Sequence, residues 1–456
     1  MRRVVKVSRI RIIITIIVVV LTTLLTGCTG KEPNEIAYVV ALGIDSTDDD
    51  NYKITIQYAN TTQISGGASE SGGKAGSEIV DNVTIEAPNI YAGVGLANNI
   101  VSKSFSMSHA KLIVFSKEIA EKGVKDMIET LVRSEEIRPD VFIAVANTTA
   151  NDYLTSVNPE MEVNPAQYYQ LIYQKNQLVG IPDGQLREFF TGLYTDNYDS
   201  ILPVAGVIEG AGGNSQNDDK GQSKESQNEG SEGSSESLDS FESKSSNEKD
   251  ENEKEKDAEK NTSKYEYDIK NYVGGETAIE KKNKAEAIGA AVFEKDKMVG
   301  ELGEVETEIC KILKGDYTYS YLTYYNNDTP DIPITVKTTQ QKKPKYKIDT
   351  DKKTVDIELY IESDLYSLPA DYNVENKIED FERNVANYTS STCTEFINNF
   401  TKKYNSDILK LNEKVKYKFL TNNQYNWFKK NVGWSEYKFS VCTNFKVRRT
   451  GLIVRE

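Results

Sequence analysis

The only imidazole in the chain is His109, set in Ser106-Met-Ser-His-Ala110 just before an apolar run. A Ser-His-Asp relay would have to use it, and no Gly-x-Ser-x-Gly elbow supplies a nucleophile. A ring that holds a strand entrance by hydrogen bonds accounts better for this residue than a lone general base. Gly66–Lys74 (GGASESGGK) imitates a phosphate loop, but the position five before Gly73 is Ala68 and Lys74 is followed by Ala75. A flexible hairpin loop fits that stretch. Gly93-Val-Gly-Leu-Ala-Asn98 lacks the third glycine of a dinucleotide fingerprint and has no strand before it. The acids Asp48–Asp50 lack calcium-loop spacing. Cys310, Cys393 and Cys442 are far apart and odd in number, which implies no disulfide framework. Each reads as a small buried hydrophobe, with one pair still open in an oxidising space. The 27 tyrosines are densest over Tyr317–Tyr325. An aromatic platform for carbohydrate or peptide is conceivable there; a strand packed on a helix is the simpler account. No catalytic, metal-binding or cofactor-binding constellation results.

One residue does carry chemistry. The N-terminus holds Arg2, Arg3, Lys6, Arg9 and Arg11 with no acid, then an apolar stretch from Ile12 to Leu25, then Leu25-Thr26-Gly27-Cys28. A basic region, a short apolar region and small residues before a cut site describe a secretory signal peptide over residues 1–27. The tetrapeptide resembles the bacterial lipobox, in which the cysteine thiol takes a diacylglyceryl group and becomes the new N-terminus. Only a thiol forms the thioether, and small residues at 26 and 27 admit the peptidase. Cys28 is therefore the expected lipidation site, and two acyl chains anchor stably where one is marginal. A single transmembrane anchor is the competing reading, but the run is short and threonine-rich at its end.

Composition bounds the rest. The 456 residues carry 55 Lys+Arg against 70 Asp+Glu, a formal charge of −15, which opposes nucleic-acid binding. Mean hydropathy of −0.54 excludes a polytopic membrane protein. Residues 210–264 hold 15 acids, eight bases and almost no apolar residue. Such a segment cannot offset its ordering entropy, so it is expected to be a disordered acidic linker spanning about 40 Å.

On either side lie folded patterns. Ile36–Asp45 and Tyr52–Tyr58 predict a hairpin, and Ala87–Ser102 a helix. Lys111–Phe115, an amphipathic helix over Lys117–Val132 and Val141–Ala146 make a βαβ unit, hence a partly parallel sheet. Helices at Ala150–Ser156, Pro165–Leu178 and Asp183–Tyr194 precede a strand at Ile201–Ile208. Residues 28–209 thus form an N-terminal region, divisible into two small α/β domains over about 28–148 and 149–209. After the linker come a strand at Ala285–Glu294, a helix at Val305–Leu313 and strands at Tyr317–Tyr325, Ile332–Thr339, Lys345–Asp349 and Val355–Ser363. A long helix over Val374–Tyr404, a shorter one at Gln424–Asn431 and a strand at Glu436–Val447 complete a C-terminal α+β domain over 265–456. The fold class expected is mixed α+β and α/β: an elongated multi-domain protein, each domain a sheet flanked by helices.

Four segments, in order, resemble the Ger(x)C family, the C-subunit lipoproteins of spore germinant receptors. The first joins Cys28 to Glu35-Ile36, Ala41-Leu-Gly-Ile-Asp45 and Lys53-Ile-Thr-Ile-Gln57. The second is Ser108-His-Ala-Lys-Leu-Ile-Val-Phe115 with Ile119–Gly123 and Arg133–Arg138. The third is Gly289–Leu302, and the last Val447–Ile453. The chain departs from the family in having Thr29-Gly30 where Trp-Asp commonly follows the lipidated cysteine. It also reads Asp407-Ile-Leu-Lys-Leu-Asn412 where a Gly-rich Asp-aromatic-Gly pattern is favoured, and its acidic insert is long.

The resemblance implies a lipid-tethered, non-catalytic subunit on the outer face of the inner spore membrane. Its implied partners are a membrane-embedded A-type subunit and a permease-like B-type subunit; contact with the small-molecule germinant stays open. A solute-binding lipoprotein of a transporter is the competing function, and needs two similar lobes around a cleft. A secreted hydrolase is opposed by the single histidine.

Overall fold

The computed structural model describes residues 13–18, 35–49, 51–59, 80–159, 162, 164–174, 180–195, 197–208, 271–277, 283–326, 329–368 and 374–450. Cys28, the Gly66–Lys74 loop and the 210–264 linker lie outside them.

Strand β1 (Ile36–Ser46) is almost continuously buried, as a strand covered on both faces must be. It pairs antiparallel with β2 (Tyr52–Ala59), through Ser46↔Tyr52, and β2 pairs antiparallel with β3 (Val80–Ala87). On its other side β1 runs parallel to β5 (Leu112–Ser116), which is followed by β6 (Phe142–Ala146) and β7 (Ile201–Val207), all parallel. A short β4 (Ser104–Ser106) pairs in parallel with the start of β1. The nine-stranded order is β3-β2-β1-β5-β6-β7-β8-β9, with β4 beside β1.

Strands β8 (Ala285–Glu294) and β9 (Lys297–Leu302) close this sheet through antiparallel pairing of β7 with β8. The acidic segment thus separates two neighbouring strands of one sheet, so that residues 285–302 pair with the N-terminal strands across it. Residues 149–209 likewise form no sheet of their own, because β7 pairs with β6. The reason is register: Ile201↔Val292 and Val207↔Ala285 complete a ladder that residues 28–209 alone would leave open.

Helices cover both faces. One face buries the inner sides of α1 (Ile90–Ile100), α2 (Lys117–Lys122), α3 (Lys125–Val132) and α6 (Leu186–Thr195). The other buries α4 (Ala150–Ser156) and α5 (Pro165–Gln174), with Tyr153, Tyr169 and Tyr173 deep in the core. The single helix expected over Lys117–Val132 is two helices. Gly123 has φ of +124°, a conformation only glycine adopts freely, and it breaks the helix there.

The second sheet has β10 (Tyr319–Asn326), β11 (Thr329–Thr339), β12 (Lys345–Asp349), β13 (Thr354–Ser367) and β14 (Lys438–Arg449). Its order is β10-β11-β13-β12, antiparallel as expected, with β14 added in parallel to β13. Strict alternation in β13 aims Val355, Ile357, Leu359 and Ile361 at α7 (Glu304–Lys314) and α8 (Val374–Tyr404). The same core takes in Ile201, Val292 and Leu302 of the first sheet. The fold is mixed α+β, two sheets flanked by helices, as expected.

Gly206 on β7 shows how closely the 271–277 segment packs on the first sheet. A Cβ there would lie 2.0 Å from the carbonyl carbon of Gly274, a backbone atom that cannot yield. Gly206→Ala should therefore destabilise the protein by about 1–3 kcal/mol, the usual cost of overpacking. A melting temperature unchanged from wild type would contradict this packing.

Candidate functional site: the entrance to the first sheet and the junction of the two sheets

His109 sits beside the start of β1. Its ring meets the Tyr38 ring edge-on with centroids 4.8 Å apart, and Nδ1 lies 3.0 Å from Ser108 Oγ. It is exposed and engaged with its neighbours at the strand entrance, the structural role the sequence suggests. Cys310 and Cys393 are buried, and burial pushes both thiols up, Cys393 to about 12. Cys442 departs from the expected burial. Alternation along β14 turns Val441 and Thr443 inward and Cys442 to solvent. Among the described residues no group of three or more His, Cys, Asp or Glu could hold a metal ion, and no helix is long and apolar enough to cross a membrane.

The start of β1 is fixed by β4. Ile36, Ala37 and Tyr38 pair with Ser104, Phe105 and Ser106. This places the first described residues after Cys28 beside the segment that leaves α1. Helix α1 is capped by Asn89, whose Oδ1 accepts from Ala92 N at 2.9 Å. Its inner face (Ile90, Gly93, Val94, Ala97) packs on the sheet, and Asn98 Oδ1 accepts from Phe105 N at 2.7 Å. Its outer face leaves Leu96 and Ile100 exposed, at 47% and 70%.

The second feature joins residues far apart in sequence. Asp407 is buried between α8 and the short helix α9 (Leu411–Val415). Its Oδ1 accepts from Leu411 N at 2.7 Å and its Oδ2 from Asn412 N at 2.8 Å. Its own N–H donates to Asp199 Oδ2 at 2.9 Å, and Asp199 Oδ1 accepts from Lys295 N at 3.2 Å. Burial pushes the Asp407 carboxyl up to about 7, against the pull of its two N–H donors. Lys410, at φ of +57°, bridges back to the first sheet's helices. Its Nζ donates to Glu188 Oε2 at 3.1 Å and lies 4.2 Å from the Tyr198 ring centre. Burial raises the Glu188 carboxyl, but the hydrogen bond and charge of Lys410 outweigh it and hold it below its ordinary value.

Asn412 extends the network. Its Oδ1 accepts from Trp434 Nε1 at 3.2 Å and its carbonyl from Tyr425 Oη at 3.1 Å, on helix α10 (Asn422–Asn431). Lys429 of α10 donates to the Thr195 carbonyl at 2.9 Å. Two cavities open beside Tyr198 and Asp199, of about 390 Å³ toward Lys314 and Asp316 and about 570 Å³ toward Trp434 and Lys430. Carboxylates, ammonium groups and aromatic faces line them. In the sequence Asp407 stands out only as a departure from a resembled pattern. Nothing local announces Asp199 or Lys410, because their partners lie more than 90 residues away in sequence.

Two family profiles match the chain. The spore germination protein N-terminal domain matches residues 30–207, and the spore germination B3/GerAC-like C-terminal domain matches 288–451. The chain belongs to the GerAC family of spore germination proteins. Bacillus subtilis (strain 168) spore germination protein KC is 26% identical over 174 residues, covering 35% of this chain and 42% of that protein. Putative spore germination protein YfkR of the same strain is 28% identical over 145 residues, covering 32% and 37%. The aligned part thus spans about two-fifths of these relatives' length. The crystal structure of the GerBC protein aligns over 89% of this chain and 96% of its own, at 15% identity and a TM-score of 0.47. The two matched segments meet inside the first sheet: the N-terminal match ends with β7 and the C-terminal match begins within β8.

Proposed function

We propose that this GerAC-family chain is a lipid-anchored, non-catalytic subunit of a spore nutrient germinant receptor. It acts by assembling with A-type and B-type membrane subunits on the outer face of the inner spore membrane. The observation that carries this reading is a leader ending in Leu25-Thr26-Gly27-Cys28 in front of both germination-family segments. Tethering by two acyl chains would confine the chain to one surface and raise the effective concentration of weak contacts with its partners. The mixed-charge junction around Lys410 and Asp407 would hold the two sheets in one arrangement for that assembly. The solute-binding alternative needs two similar lobes, whereas these sheets differ in strand number and order.

Deleting the gene should abolish germination in response to one nutrient class while other triggers still work. An unchanged profile, in a strain with no second receptor for that nutrient, would overturn the proposal.

A further inference from the structure

We infer that the C-terminal end of α1, centred on Leu96 and Ile100, is a membrane-contact surface that seats on the bilayer beside the tether; this rests on the lipidation of Cys28. Three observations converge on that end of the first sheet. Only Thr29–Asn34 separate Cys28 from Glu35, so even a fully extended tether reaches about 25 Å. Ile36 then pairs with Ser104, four residues beyond Ile100. The chain that follows the anchor therefore enters the first sheet beside the end of α1, and an anchored bilayer lies within that reach of Glu35.

The surface presented there suits hydrocarbon. Leu96 and Ile100 are four residues apart on one helix face, exposed along the edge of the stripe that buries Gly93, Val94 and Ala97. Helix α1 contains no charged residue at all. Scattered exposed apolar residues need no explanation on a protein surface. A pair at helical spacing beside a lipid anchor has one close at hand.

Charge agrees with the seating. Residues 87–116 include Lys103 and Lys111 and no Asp or Glu, in a chain of formal charge −15. The turn at 133–140, at the same end of the parallel strands, sets Arg133 and Arg138 against Glu135, Glu136 and Asp140. Glu136 is engaged in accepting from Met107 N at 2.6 Å. This end is thus close to neutral where the molecule as a whole would be repelled by anionic lipid. Another exposed apolar group, Tyr417, Leu420 and Trp427 around the start of α10, lies in the second sheet's half of the chain.

The test uses the lipidated protein in phosphatidylethanolamine–phosphatidylglycerol vesicles whose acyl chains carry a photoreactive diazirine. Peptide mass spectrometry then maps the lipid adducts and reads the modification of Cys28 in the same sample. Adducts on residues 96–101 should exceed those on residues 417–427 at least tenfold. The variant Leu96→Ser with Ile100→Ser should remain on the vesicles through its lipid and lose that excess. A lipidated chain whose α1 is labelled no more than residues 417–427 would overturn the inference alone. An unmodified Cys28 would overturn the anchor and, with it, the seating of α1.

Discussion

A Cys28→Ser chain should incorporate no labelled fatty acid and should persist as a precursor that keeps residues 1–27. The thiol is the only nucleophile at the end of the leader that can form the thioether, and a hydroxyl does not replace it. Each methylene buried in the bilayer contributes about 0.8 kcal/mol, so two acyl chains amount to an anchor that no surface contact of the folded part could match. A second variant separates anchoring from processing. With Cys28 and its lipobox replaced by a conventional cleavable leader, residues 29–456 should leave the membrane fraction almost completely. Germination in response to the cognate nutrient should fall to the level of the gene deletion. Normal maturation and membrane retention of both variants would contradict the anchor.

The second large effect is expected at Asp407. Replacing it by alanine leaves Leu411 N–H and Asn412 N–H buried without an acceptor, and each orphan donor costs about 1–3 kcal/mol. The start of α9 and the contact of Asp407 with Asp199 should loosen together, so that thermal unfolding moves down by several degrees. A melting temperature within experimental error of wild type would show that the junction does not hold the sheets.

The same residue predicts a pH dependence. Its folded carboxyl is raised from the ordinary 3.8 to about 7. Glu308 on α7, driven up mainly by burial, also reaches about 7, and its Oε1 has no hydrogen-bond partner. A raised carboxyl adds stability that is complete below the unfolded value and fades as pH rises through the folded one. Stability should therefore fall between about pH 4 and pH 7, by up to about 1.4 kcal/mol per pH unit for each group, and level off above. Asp407→Asn and Glu308→Gln should each flatten part of that slope. A slope of the opposite sign across this window would mean that both carboxylates stay ionised inside the protein.

Much of the fold was legible because periodicity is local. The apolar run of β1, the alternation of β13 and the helical spacing of Phe381, Val385, Phe396 and Phe400 each specify their element without outside help. Two edge elements were not. Strand β3 reads Val-Asp-Asn-Val-Thr-Ile-Glu-Ala, with its exposed face too polar to announce a strand, and β9 reads Lys-Met-Val-Gly-Glu-Leu. Both become strands only because a neighbour offers an open edge. The same long-range pairing explains why β8 joins the first sheet across the acidic segment, which composition alone reads as a domain boundary. The junction was least legible of all, since Asp199 and Asp407 are 208 residues apart. A motif scan finds residues that act near one another in sequence, and here Asp199, its donors Asp407 and Lys295, and the Glu188–Lys410 pair converge from separate elements.

Assembly is the claim on which the functional account turns, and one measurement reaches it directly. The tagged chain is solubilised from spore membranes in mild detergent, captured, and its companions identified by mass spectrometry. The account predicts that an A-type and a B-type receptor subunit are recovered with it from the membrane fraction. Recovery of the chain by itself, or from the soluble fraction, would contradict it.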